Sequence, residues 1–217
     1  MNIEQARFNM IEQQIRPWDV LDTHVLALLA SVKREDFCPL AHKALAFVDM
    51  DVPLGHGATM LSPKVEARML QDLAVQKHEK VLEIGTGSGY MAALLSHRAQ
   101  RVISLEIVPE LAKAARDNLQ KAGVHNCEVR TADGSKDLSV DGPFDVIVLS
   151  GSVAHVPPGL LALLKPNGRL AAIVGEEPVM RATFVTKDAQ GNAVTKQPWD
   201  TIAARLSGFG EDSKFSF

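Results

Sequence analysis

The chain predicts an α/β protein built on a mostly parallel sheet with helices on both faces, and three observations carry that prediction. From Val81 onward short apolar runs alternate with helical patterns, giving strands at 81–84, 101–105, 127–131, 144–149 and 169–174 and helices at 90–98, 109–122 and 157–164. Most of the strands are continuous apolar runs, as strands covered on both faces must be. Chemically able groups, namely Gly85 to Gly89, Glu106, Asp133-Gly134 and Ser150, all fall beyond the carboxyl ends of those runs, where open parallel sheets bind ligands.

Composition narrows the class. With 217 residues, 46% hydrophobic and 23% charged, the chain reads as an ordinary globular protein of one domain with an elaboration. A formal charge of −3 exerts no general pull on nucleic acid, and no dense basic run supplies a local one. Cys38 and Cys127 stand far apart without metal-ligand spacing, so each reads as a small apolar side chain and no metal is expected. The start lacks the pattern of a signal peptide and no stretch is long enough to span a membrane, which makes a cytoplasmic protein the expectation.

In front of the sheet the pattern is helical. Ile3, Phe8, Ile11 and Ile15 mark an amphipathic helix over 3–15 that Pro17 ends, Asp22 caps a second over Thr23 to Val32, and a short third element lies near Leu40 to Ala46. Residues 47–63 begin extended and become a glycine-punctuated loop, in which His56 is the polar candidate for recognition. Ser62 and Pro63 then start a helix over Lys64 to Leu73 with Val65, Met69 and Leu73 inward. The division is a helical cap with a substrate loop, 1–63, and an α/β core, 64–217, in one folding unit. At the far end 180–187 and 199–206 read as strands of an antiparallel hairpin joined through 188–192, and the tail after Gly208 reads as disordered.

The core opens on Val81-Leu82-Glu83-Ile84-Gly85-Thr86-Gly87-Ser88-Gly89-Tyr90, which reads as strand, tight turn, helix. Glycines there permit positive φ and bring a ligand near the backbone, while the free amides of the following helix face it. This is a Rossmann-like nucleotide-type site, and Glu106, 21 residues beyond Gly85, stands where an acid accepts from both ribose hydroxyls. Two features disfavour a dinucleotide. The third glycine comes one residue early, and Glu83 sets a carboxylate beside the loop, which repels pyrophosphate and suits a cation. S-adenosyl-L-methionine, with a sulfonium, an ammonium and no phosphate, fits better. Thr86, Ser88 and Ser150 complete the candidate donor set, with Asp133 as acceptor for the adenine amino group and Gly134 beside the ring.

Together the glycine motif ending in Tyr90, Glu106 with Pro109-Glu110-Leu111-Ala112, Asp133-Gly134-Ser135, Leu164 to Leu170, the front from Met10 to Pro39, and Trp199-Asp200-Thr201 with Gly208-Phe209 resemble the protein-L-isoaspartate O-methyltransferases. The resemblance implies a seven-stranded sheet with an antiparallel last strand and methylation of the abnormal carboxylate of isoaspartyl residues in a peptide or protein, with S-adenosyl-L-homocysteine as product. It implies nothing on whether the chain is a monomer or a homodimer. One segment departs from the family, which carries Thr-Ile-Ser-x-Pro with its serine near the donor methyl. Here the run is Thr59-Met60-Leu61-Ser62-Pro63, so Leu61 stands at the serine position and Thr59 and Ser62 are the remaining catalytic hydroxyls. The segment Gly151-Ser152-Val153-Ala154-His155 also differs from the family's Ala-Ala-Ala-Pro. A methyltransferase with another acceptor, and a donor-binding module without catalysis, therefore stand as alternatives.

Overall fold

The computed structural model describes residues 2–136, 138 and 141–210. Its front section is helical, as expected, with α1 (Ile3–Met10) and α2 (Thr23–Ser31), the latter capped by Asp22, whose carboxylate accepts from the His24 and Val25 amides. The single helix expected over 3–15 instead widens to a π-turn over Ile11–Ile15 and tightens to a 3-10 turn over Arg16–Trp18. Pro17 has no amide for the ladder and restricts the residue before it, so the last turns rewind. Short 3-10 turns follow at Arg34–Asp36 and Leu40–Phe47. The glycine-punctuated loop proves to be a hairpin of β1 (Val52–Gly55) and β2 (Ala58–Met60) around His56-Gly57, and it leads into α3 (Pro63–Leu73).

The core then alternates as predicted through β3 (Lys80–Ile84), α4 (Tyr90–Arg98), β4 (Arg101–Glu106), α5 (Pro109–Lys121), β5 (Cys127–Thr131), β6 (Phe144–Val153), α6 (Pro158–Ala162), β7 (Leu164–Glu176), β8 (Val179–Lys187) and β9 (Ala193–Asp200). The seven strands from β3 onward lie in the order β5-β4-β3-β6-β7-β8-β9. Pairings among the first five are parallel, and β7 with β8 and β8 with β9 are antiparallel. Because β4 and β6 flank β3, the chain reverses its direction of travel at β3, and the crevice beyond the carboxyl ends of β3 and β6 is the switch point of the sheet.

Alternate residues of the apolar strands feed two separate cores. Val81, Val102, Val146, Val148, Ala171 and Ile173 join the front helices, α3, α4 and α5 on one face, while Leu82, Ile84, Ile103, Ile147, Leu149 and Leu170 pack with Leu160 and Leu164 on the other. Lys165 to Gly168 loop out between the pairs Phe144↔Leu164 and Val146↔Arg169, in keeping with the turn the sequence shows there.

The last strand needs correction. Its expected range, 199–206, is occupied by the end of β9 and by a segment that leaves the sheet, whereas the ladder with β8 begins at Ala193. Strand β9 is an edge strand exposed on both faces, so it has no apolar alternation to read, and the apolar residues after Asp200 serve a different purpose described below. Residues 211–217 of the expected disordered tail lie outside the described residues. Among the described residues no helix is long and apolar enough to cross a membrane.

Candidate active site

The turn after β3 is built for close approach. Gly85 takes φ +88°, and its amide and that of Thr86 both donate to the Leu105 carbonyl at the end of β4. Gly89 takes φ +87° where α4 meets α5, and a Cβ there would stand 3.3 Å from Ala115. Between them the Gly87 amide donates to Glu106 Oε2 at 2.8 Å, and the Val108 amide donates to Oε1 at 3.0 Å. Glu106 is thus locked in place at the strand end with a lone pair left on each oxygen, the arrangement a vicinal diol requires.

Glu83 lies one layer beneath. It is fully buried, accepting from Ser104 Oγ at 2.6 Å and Ser150 Oγ at 2.8 Å, and Ser104 is in turn hydrogen-bonded to Thr86 Oγ1 at 2.6 Å. Burial pushes its carboxyl up to about 7. Sequence reasoning placed Glu83 beside the ligand. In the structure it is Ser150 that lines the cavity, and Glu83 orients Ser150 from behind.

The cavity, about 70 Å³, opens at the switch point. Gly85, Gly87, Glu106, Gly134 and Ser150 line it, as do Thr59, Leu61 and His56 from the hairpin side. Thr86 and Ser88 are buried and line a narrower niche beneath the loop, with Glu66, Tyr90, Thr59 and Leu61 among its other walls. Asp133 does not line the cavity, although its neighbours Ala132 and Gly134 do. Its Oδ1 accepts from the amide and hydroxyl of Ser135 at 2.9 and 2.6 Å, which holds its carboxyl below the usual range, and Gly208 packs over it.

Ser62, like Glu83, Gly89 and Asp133, is a candidate that the structure does not place in the lining of the site. It is buried at the N-cap of α3 and lines neither the cavity nor the niche, while its amide donates to Asp51 Oδ1 at 2.8 Å. Thr59 faces the cavity and donates to the other oxygen of Asp51 at 3.3 Å. Burial raises the Asp51 carboxyl, against the pull of these two hydrogen bonds. Asp51 was not singled out from sequence, nor was the segment after β9. That segment crosses the strand ends, with the Leu206 amide on the Ser152 carbonyl and the Ser152 amide on the Ala204 carbonyl. Its Leu206 side chain closes on Gly85 and Gly151 so tightly that a Cβ on either would lie 2.6 or 2.8 Å from Cδ2.

The residues fit a nucleoside with a free diol. A fixed acid faces the cavity from β4, glycines 85 and 87 expose backbone from β3, Gly134 packs so closely on Ile84 that a side chain there would collide with it, and among the described residues lining the cavity Arg205 is the one Lys or Arg. An open α/β sheet with this loop at its switch point and an antiparallel pair closing the far edge defines a Rossmann-like methyltransferase. The model of the protein-L-isoaspartate(D-aspartate) O-methyltransferase family matches residues 5–205. Protein-L-isoaspartate O-methyltransferase 2 of Syntrophobacter fumaroxidans is 40% identical over 189 residues, 87% of this chain and 76% of that one. The Myxococcus xanthus protein-L-isoaspartate O-methyltransferase is 44% identical over 156 residues, 72% and 74% of the two chains. A Plasmodium falciparum chain assigned to the same enzymes and solved in complex with S-adenosyl-L-homocysteine superposes with a TM-score of 0.79 at 21% identity, covering 95% of this chain and 99% of that one. The chain belongs to the protein-L-isoaspartate(D-aspartate) O-methyltransferase family.

Proposed function

We propose that this chain transfers the methyl group of S-adenosyl-L-methionine to the free carboxylate of isoaspartyl residues in peptides and proteins. The observation that supports it most is the intact coupling of the glycine loop to Glu106 in a chain that matches the family over residues 5–205. When bound, the donor supplies an electrophilic methyl group on a cationic sulfur. The acceptor carboxylate is ionised at neutral pH, so the chain needs no general base and its work is alignment and exclusion of water. Glu106 would take the ribose hydroxyls, Gly85 and Gly87 would let the donor lie against the backbone, and Gly134 with Asp133 would bound the adenine. Ser150, oriented by Glu83, presents a hydroxyl oxygen to the cavity as an acceptor for the donor's cationic end. Thr59 is the hydroxyl facing the cavity from the hairpin side, backed by Asp51, and Leu206 shields the reacting groups from water.

A second reading, a methyl acceptor other than isoaspartate, is favoured by one feature. Leu61, 4% exposed, turns an apolar side chain into the wall where the family carries its serine, and Ser62 does not replace it. The deciding experiment is transfer of labelled methyl to an isoaspartyl peptide with its aspartyl twin as control, read as methanol released in mild base. Turnover on the isoaspartyl peptide alone is expected. Confirmed donor binding without turnover on either peptide would instead mean that the donor site is kept while the acceptor differs or catalysis is lost.

A further inference from the structure

We propose that Arg34, which lines neither the cavity nor the niche, is a positioning residue that sets the 59–61 wall against the donor loop. The proposal rests on the methyl-transfer reading of the cavity given above. Arg34 is 1% exposed, and its guanidinium makes a different contact at each edge. Nη2 donates to the Leu61 carbonyl at 2.7 Å, Nε donates to the Ala46 carbonyl at 3.1 Å, and Nη1 pairs with the Glu66 carboxylate on α3. Its Cζ lies over the ring of Tyr90, 5.3 Å from the centroid. Tyr90 is the first residue of α4 and follows Gly89 directly, so one rigid plane touches both the backbone that carries Leu61 and the helix that begins at the donor loop.

Asp51 holds the other side of the same Leu61–Ser62 peptide, accepting from the Ser62 amide, and reaches the start of the wall through the Thr59 hydroxyl. Two anchors from two sides fix a segment that has only a three-residue strand of its own. In-line transfer depends on the distance and angle between acceptor and methyl, and a misplacement of about 1 Å costs on the order of 100-fold in rate. A guanidinium suits this task and an ammonium does not, because only the planar fork reaches carbonyl, carbonyl and carboxylate at fixed angles from a single charge centre over the ring.

The buried charge invites the alternative that Arg34 serves stability alone, and a set of variants separates the two. Arg34→Met with Glu66→Leu replaces the pair by apolar groups, a change that buried ion pairs often tolerate without loss of stability. Arg34→Lys keeps a cation opposite Glu66 and removes the fork. Arg7→Met with Glu35→Leu removes another buried pair of the front section, whose side-chain hydrogen bonds run to each other and to Glu4 and not to the wall. The readouts are melting temperature, dissociation constant for S-adenosyl-L-homocysteine, kcat and KM on the isoaspartyl peptide, and amide exchange in residues 57–62.

Both Arg34 variants are expected to bind S-adenosyl-L-homocysteine within about threefold of the unmodified protein, to lose about 10- to 100-fold in kcat, and to exchange faster in 57–62. The Arg7 pair variant is expected to leave kcat and that exchange unchanged. Unchanged kcat and exchange in the Arg34 variants would overturn the proposal, as would equal losses in the Arg7 pair variant. If the unmodified protein fails on the isoaspartyl peptide, it is the acceptor assignment that falls. The exchange comparison then decides the role of Arg34 by itself, since faster exchange confined to the Arg34 variants supports it and equal exchange refutes it.

Discussion

Glu83 shows how a single buried carboxyl ties the site to the stability of the chain. Its carboxyl is raised from 4.5 to about 7, first by burial and then by the Glu106 carboxylate, against the hydrogen bonds from Ser104 and Ser150. Between those two values the folded protein holds a proton that the unfolded chain has released. The stability contributed is full below about pH 4.5 and is lost as pH rises through about 7, a loss on the order of 3 kcal/mol. Burial also raises Glu66, with the Arg34 guanidinium working against the shift, so its contribution has the same sign. Replacing Glu83→Gln removes the titration while keeping a polar partner for both hydroxyls. The expected result, measured as urea midpoint against pH, is a flatter slope between pH 5 and 8 and a more stable protein at pH 8; an unaltered slope would place the proton elsewhere. At this scale the sequence was informative where spacing encodes the contact. Gly85 to Glu106 is one strand-helix-strand unit, so the acid had to arrive beside the loop. Arg34, Asp51 and Leu206 were not legible, because the contacts by which they shape the site run to the Leu61 carbonyl, the Ser62 amide and bare glycines, which leave no trace in side-chain type.

Among the elements, the parallel strands were legible because double burial makes them uniformly apolar. Edge strand β9 was misplaced because exposure on both faces erases that signal, and the apolar residues after it cover the cavity instead of a sheet face. The β1-β2 hairpin has a comparable history. Its two-residue turn, His56-Gly57, runs at φ +54° and +76°, the pairing of positive angles that a type I′ turn demands. Asn-Gly is the common solution, and histidine pays some strain in that conformation. Replacing His56→Asn should therefore stabilise the chain by about 0.5 kcal/mol and raise the melting temperature by roughly 1–2 °C. Because His56 also lines the mouth of the cavity, turnover should be measured on the same variant. Higher stability with lower turnover would mean that the strained residue is kept for the acceptor, whereas no gain in stability would mean that the hairpin bears no strain at His56.

For the whole molecule, the packing argues that the front section and the α/β core unfold together. Residues from Met10, Ile15, Val25 and Leu29 to Leu70, Leu94, Val146 and Ala203 belong to one continuous apolar cluster, so no layer of solvent separates cap from sheet. Polar bonds follow the same line. The side-chain amide of Gln71 on α3 takes the Leu21 and Asp22 amides and donates to the Asp19 carbonyl, and Arg68 donates to the Trp18 carbonyl at 2.8 Å. The two tryptophans meet at this junction from opposite ends of the chain, Trp18 edge-on to Trp199 with centroids 5.4 Å apart, and Trp199 Nε1 donates to Asp72 Oδ2 at 2.8 Å. Intrinsic fluorescence therefore reports the junction of cap, α3 and sheet edge, while far-ultraviolet circular dichroism reports helices and strands throughout. Cooperative unfolding as one unit requires the two signals to share a single urea midpoint and slope, which a chain of 217 residues is long enough to violate. Coincident curves are the expected outcome. A fluorescence transition that precedes the dichroism would instead mean that the cap lifts off before the core unfolds, and would make the 59–62 wall, which the cap anchors through Arg34, the first part of the site to be lost.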